Sequence, residues 1–281
     1  MNLDGDTTGA RLTGRPTTLD RPENAVARES GAVLFTRYAY PPNELGYCGP
    51  PDHRALLEYG TAGVVDDGLV QLARGFLGAW PYLQLIAEGT GIGDPLDRRV
   101  VQAYWVGSRL LERVDRNMFG NSLRDRFHPR TGLTWSYLEE NVPADAVPHH
   151  SFHVFGVYPW VGLLGADRGD TPLTVLDRCR IRWGQVVAVE PGQVVVRSQP
   201  LTWDGHHLGL GPAQTETATR SVDGYSFLPD LKIGDWVSLH WHWVCDRLSA
   251  SDLAALKHYT ARQLDITNHK VQHSGPAAAL S

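Results

Sequence analysis

The residues best suited to chemistry are cysteines and histidines that recur in a few short runs of the 281-residue chain. Cys179 opens Cys179-Arg-Ile-Arg-Trp-Gly184-Gln-Val186, and His240 and His242 fall near the end of Ile233-Gly-Asp-Trp-Val-Ser-Leu-His-Trp-His-Trp-Val244. His149, His150 and His153 lie within five positions, and Cys48 stands in Gly46-Tyr-Cys48-Gly-Pro-Pro-Asp-His53. Thiolate and imidazole are the donors that transition metals select, and a cysteine served by a histidine is also a nucleophilic pairing.

Each candidate has an ordinary alternative. His149 and His153 would share one face of a helix. In a chain with 12 histidines such spacing also arises by chance, and no acidic third ligand sits beside it. Cys48 precedes an expected helix start, where the dipole lowers a thiol pKa, with His53 in that helix's first turn. The bland reading of Cys48 is a small buried cysteine in a loop. Cys245 follows a tryptophan-rich strand and reads as structural, and Trp80, Tyr82, Tyr104 and Trp105 as core. Gly89-Thr-Gly-Ile-Gly93 resembles a phosphate loop only superficially, because no strand leads into it and no lysine follows.

The elements that must position these residues divide into two kinds. Residues 1–30 and 269–281 carry few periodic apolar positions and are expected to form disordered tails. Residues 31–171 read as a mainly helical domain. One helix is expected after the Pro50-Pro51 pair, another through Leu69, Leu72, Ala73, Phe76 and Leu77, and a third capped by Asp94-Pro95-Leu-Asp97 and running to Val114. The run from His149 to Trp160 reads as helix. After Pro172 the pattern changes. Residues 186–189 and 194–197 flank Pro191-Gly192 as a hairpin, residues 233–244 contain a long alternating strand, and a helix capped by Ser249 or Ser251 follows. The fold class is therefore α+β, with a helical N-terminal domain followed by a small OB-like β-barrel and C-terminal helix over 172–268. Along a strand at 233–244, Val237, Leu239, Trp241 and Trp243 would face the core. Trp236, Ser238, His240 and His242 would face outward, toward a metal, a partner or plain solvent.

Bulk properties narrow the classes. A net charge of −5 gives no electrostatic pull toward nucleic acid or anionic membrane. Three distant cysteines do not make a disulfide framework, so a reducing cytoplasm is expected. No apolar run approaches the roughly 18–20 residues of a transmembrane helix.

The C-terminal runs resemble the HypC/HupF-type hydrogenase-maturation chaperones over about residues 175–268. Cys179 through Val186 is similar to that family's opening, a cysteine followed by a glycine and a valine before a hairpin. Leu228-Pro-Asp-Leu-Lys-Ile-Gly-Asp-Trp-Val-Ser-Leu-His240 is similar to its second signature, a Gly-Asp strand ending on histidine, and the helix after Asp246-Arg-Leu248 matches in position. The resemblance implies a carrier of an iron centre bearing cyanide and carbon monoxide, with Cys179 as the indispensable ligand and His240 beside it. It also implies a nickel–iron hydrogenase large subunit or another maturation protein as partner. Three departures stand out. Cys179 is internal where the family cysteine is N-terminal, Trp183 replaces a proline, and the segment from Ser198 to Phe227 is longer than the family loop.

Three function classes follow. The first is an accessory or maturation factor for a nickel–iron hydrogenase. In it the helical domain forms the opposing wall of the metal site, through Cys48 or through His149, His150 and His153, or iron carriage is lost and docking remains. The second is a cysteine- or metal-dependent enzyme centred on Cys48 and His149, His150 and His153. The third, a nucleic-acid-binding barrel, is disfavoured by the acidic balance.

Overall fold

A computed structural model describes residues 30–127, 145–165 and 169–273. The chain is α+β: nine helices among the described residues surround and extend a five-stranded barrel. The expected N-terminal tail lies outside the described residues up to position 29.

The central helix is α1 (Gly31–Glu44), capped by the Ser30 hydroxyl, which accepts from the Ala32 amide at 3.2 Å. Every residue from Gly31 to Asn43 is buried, as a helix that is apolar nearly all round must be. Its last turn holds Pro41 and Pro42. Around it lie α2 (His53–Ala62), α3 (Asp67–Arg74), α4 (Trp80–Thr90), α5 (Arg98–Trp105) and α6 (Arg116–Phe127). Asp52, Asp66 and Asp97 cap α2, α3 and α5 through their carboxylates, satisfying amides left open at helix starts. The third expected helix stops at Trp105, well short of Val114. Gly107 there adopts φ +99°, and a Cβ would run into the Tyr259 ring, so the chain turns where only glycine fits.

The run after His149 forms one short helix, α7 (His150–Phe152), which widens into a π-turn at His153–Val157. Next comes α8 (Thr171–Cys179), with Pro172 in its first turn. Cys179 therefore ends a helix and does not start the first barrel strand, which begins at Arg182.

The barrel consists of β1 (Arg182–Glu190), β2 (Gln193–Ser198), β5 (Gln214–Thr219), β9 (Trp243–Arg247) and β8 (Trp236–His240), paired in that order and closed by β8 on β1. Small two-stranded ribbons, β3 (Leu201–Trp203) with β4 (Leu208–Leu210) and β6 (Ser221–Val222) with β7 (Tyr225–Ser226), fill the long segment between β2 and β8. The hairpin at Pro191-Gly192 forms as expected. Five strands closed in this way make a partly open OB-type barrel. Six residue pairs join β2 to β5, but β5 meets β9 in parallel at Thr219 and Trp243 alone.

Two expectations about the histidine-bearing strand need correction. The long strand expected within 233–244 is interrupted, because Trp241 and His242 turn the chain between β8 and β9, with Trp241 at φ +53°. The face holding Ser238 and His240 does not look outward. It is covered by α1, where the Tyr38 hydroxyl lies 2.8 Å from the Ser238 hydroxyl. Val237 and Leu239 do point into the barrel, with Val186, Val194, Val196, Ala218, Leu231 and Val244.

The last element, α9 (Ala250–His273), begins at a reciprocal cap. Ser249 Oγ accepts from the Asp252 amide at 3.2 Å, and the Asp252 carboxylate accepts from the Ser249 amide at 3.1 Å. It continues through His269, so the expected tail from 269 is helical up to His273. Residues beyond 273 lie outside the described set. A single buried cluster runs from Phe35, Tyr38 and Trp105 to Trp183, Phe227, Trp243 and Tyr259, crossing the expected boundary near Pro172. No described helix is long and apolar enough to cross a membrane.

Candidate metal centre

Where α1, α7, α8 and β8 converge, ligand atoms of His150, Cys179 and His240 all lie within 4.8 Å of one another. The two barrel-side residues singled out by the sequence thus meet a histidine from the helical half.

His240 is only 1% exposed. Its Nδ1 donates to the Tyr38 carbonyl at 2.7 Å, which places its lone pair on Nε2. That carbonyl is available for a specific reason. In a helix it would serve the amide four residues on, or three in a tighter turn, and those residues are Pro42 and Pro41, which have no N–H. The prolines leave an acceptor open, and the histidine takes it. Nε2 of His240 is itself buried with no hydrogen-bond partner among the described residues. A buried, unpartnered nitrogen whose ring is fixed through the other nitrogen is the usual posture of a metal-ligating histidine.

His150 donates from Nε2 to the Cys179 carbonyl at 2.9 Å, and its Nδ1 lies 3.3 Å from the Tyr104 hydroxyl. Its ring packs against those of Trp105 at 4.6 Å and His240 at 5.2 Å. Metal binding through either nitrogen exchanges one of those hydrogen bonds for a coordination bond. Burial lowers the imidazole pKa of His150 to about 4 and holds that of His240 well below its ordinary value. Both rings are neutral near pH 7, with lone pairs free of protons. Burial pushes the Cys179 thiol in the opposite direction, well above its usual range, although the residue is only partly buried. A cation would replace that proton, since thiolate is the ligating form. Tetrahedral coordination, with bonds of about 2.0–2.3 Å, sets ligand atoms roughly 3.3–3.6 Å apart, so the group needs only modest contraction. Two imidazoles and a thiolate fit a borderline or thiophilic transition metal.

A buried guanidinium fixes both barrel-side ligands. Arg182 donates to the Asp177 carbonyl at 3.2 Å, to the Trp241 carbonyl at 2.8 Å, and to the Glu216 carboxylate. The Trp241 amide donates to the Arg178 carbonyl at 2.7 Å. The backbone next to Cys179 is thereby tied to the backbone next to His240.

The remaining candidates sit elsewhere. His149 caps α7, its Nδ1 accepting from the Ser151 amide at 3.1 Å, and its ring stacks on Tyr259. His153 lies against Tyr82 and Tyr158. The expectation that His149 and His153 act from a shared face is not met, because the helix is too short and opens into the π-turn. His53 is exposed at the start of α2. His242 is half-exposed, 3.4 Å from Glu44. Cys48 is not activated: burial raises its thiol pKa to about 12, the reverse of the expected dipole effect. Sequence reasoning missed Tyr38, Pro42 and Arg182. Only the paired prolines gave a local signal, an unserved helix carbonyl.

No match is found among curated proteins or among solved structures. Residues 27–274 match the model of a family of unknown function, DUF6390, and the chain belongs to that family.

Proposed function

We propose that this chain is an accessory or maturation factor for a nickel–iron hydrogenase, holding metal at a centre built jointly by its barrel and its helical half. The observation carrying this reading is the convergence of His150, Cys179 and His240 within 4.8 Å. Two of those three are the residues that the resemblance to HypC/HupF-type chaperones marks. The third, His150, stands on the wall that a partner would otherwise supply, which answers the difficulty of an internal cysteine. Cys179 supplies the anionic donor, His240 a preset neutral one, and the buried rings of Tyr104 and Trp105 pack against His150.

The cargo best matched to the resemblance is iron bearing cyanide and carbon monoxide, since a thiolate suits a metal softened by π-acceptor ligands. Three protein ligands leave coordination positions for such groups. The same openness favours a second reading, a metal-dependent enzyme, because catalytic sites also keep one position free. Co-purification from a native host separates the two. The maturation reading expects iron and a hydrogenase large subunit or maturation protein to accompany the wild type, with iron lost in Cys179→Ser. A bound metal without any hydrogenase component moves the enzyme reading ahead. Absence of both metal and partner defeats the proposal.

A further inference from the structure

We propose that the coordination position left open by His150, Cys179 and His240 takes a small monodentate anion from outside the chain, and that the Trp105 indole N–H donates a hydrogen bond to it. The inference rests on the metal reading above and names the class of ligand that the open position accepts.

Trp105 is the last residue of α5 and is only 3% exposed. An indole nitrogen can donate but never accept, and Nε1 of Trp105 has no hydrogen-bond partner among the described residues. Its ring packs against both histidines of the centre, with centroids 4.6 Å from His150 and 5.6 Å from His240. The other rings around it are Phe35, Tyr38 and Tyr104. Phe35 has no acceptor. The Tyr38 hydroxyl is bonded to Ser238, and the Tyr104 hydroxyl lies 3.3 Å from His150 Nδ1. A buried donor left without an acceptor costs more than an ordinary hydrogen bond contributes, so such groups are rare in a dry interior. Here two of them fall on rings that pack together. The Nε2 of His240 lacks an electrophile and the Nε1 of Trp105 lacks an acceptor. A metal ion carrying an anion supplies both.

Charge points the same way. A dication held by one thiolate and two neutral imidazoles, with the thiol proton gone to solvent, keeps one net positive charge in a buried site. No carboxylate belongs to the group among the described residues, and the nearby Glu216 is already matched by Arg182 and Arg178. Uncompensated buried charge is strongly unfavourable. A monoanion at the open position makes the centre neutral, and because it is not part of the chain it can leave again. The site therefore stays exchangeable, as a carrier or a catalytic centre requires. A hydrogen bond to a charged acceptor is stronger than one to a neutral group, so the Trp105 N–H favours an anion over water.

The test is azide titration of the full-length protein loaded with cobalt(II) or zinc(II). In the cobalt form of the wild type, azide should change the visible spectrum saturably. Trp105→Phe should still take up cobalt with thiolate-to-cobalt charge transfer, but bind azide about 10–100-fold more weakly. In the zinc form of the wild type, azide should move one indole N–H resonance downfield, and that resonance should be missing from Trp105→Phe. Equal azide affinity in the two proteins, or azide that moves no indole resonance of the wild type, overturns the role of Trp105. A loaded wild type that ignores azide overturns the anion position and leaves the three-residue centre standing. A wild type that binds neither metal ion overturns the metal reading and this inference with it.

Discussion

Strand β8 belongs to two environments. Val237 and Leu239 point into the barrel, where Val186, Val194, Val196, Ala218 and Val244 complete a lining of aliphatic groups. Ser238 and His240 point the other way, into a junction with α1 and α8 that is equally dry. Inside the barrel the requirement is volume. At the junction each buried polar group needs a partner, because leaving one unpaired costs more than the bond contributes. The partners are specific atoms on other elements: Tyr38 on α1, Asp177 on α8, Glu216 on β5. The barrel interior therefore sets shape, while the junction sets orientation and keeps one nitrogen unserved.

That contrast can be broken experimentally. The largest effect is expected from Arg182→Met, which takes their donor from the Asp177 and Trp241 carbonyls and leaves Glu216 with Arg178 and Ser198 alone, and should cost roughly 3 kcal/mol in urea denaturation. Adding Glu216→Gln should recover much of the loss; equal stability of the single and double variants would mean the pair is not the tie. Burial alone would raise the Glu216 pKa, but Arg182, Ser198 and Arg178 outweigh it and hold the carboxyl below its ordinary value. The pairing therefore stabilises above the unfolded carboxylate pKa and is lost as pH falls through the folded one. Acid titration should accordingly be flatter in the double variant.

Val196→Ala is next, at about 2 kcal/mol, since it removes buried methyl groups from the interior. Metal affinity should stay unchanged, and a parallel loss of affinity would show the two regions to be coupled. Pro42→Ala should act in the opposite manner. It restores an amide that competes with His240 for the Tyr38 carbonyl, so zinc affinity should fall about tenfold without loss of stability. Unaltered affinity would remove the prolines from the account. The smallest effect belongs to Tyr38→Phe, about 1 kcal/mol for the lost bond to Ser238. The backbone carbonyl that holds His240 survives, so metal binding should persist.

The difference also explains what could be read in the sequence. Alternation found Val237 and Leu239, and the Pro191-Gly192 turn found the β1–β2 hairpin, because those signals are local. The α1 helix gives little local signal: it is buried on all sides and apolar over most of its surface, so it has no clear 3.6-residue rhythm, and its proline pair reads as a break. The turn at Trp241 carries no glycine or asparagine to announce φ +53°, so β8 and β9 merged into one strand. Alternation alone puts His240 on the exterior, because only a second layer, supplied some 200 residues earlier in the chain, buries it. For Cys179 and His240 their proximity was expected from a resemblance, but the arrival of His150 depends on tertiary packing that no spacing encodes.

The barrel's closure has a kinetic counterpart. Because β5 meets β9 at one residue pair only, alternate amides of β5 face a seam with little to hold them, while their neighbours bond to β2. Deuterium should enter β5 in a two-residue rhythm, with the seam-facing amides labelling first. Those amides report local opening of the barrel, whereas the β2-facing ones should wait for events that unravel the whole sheet.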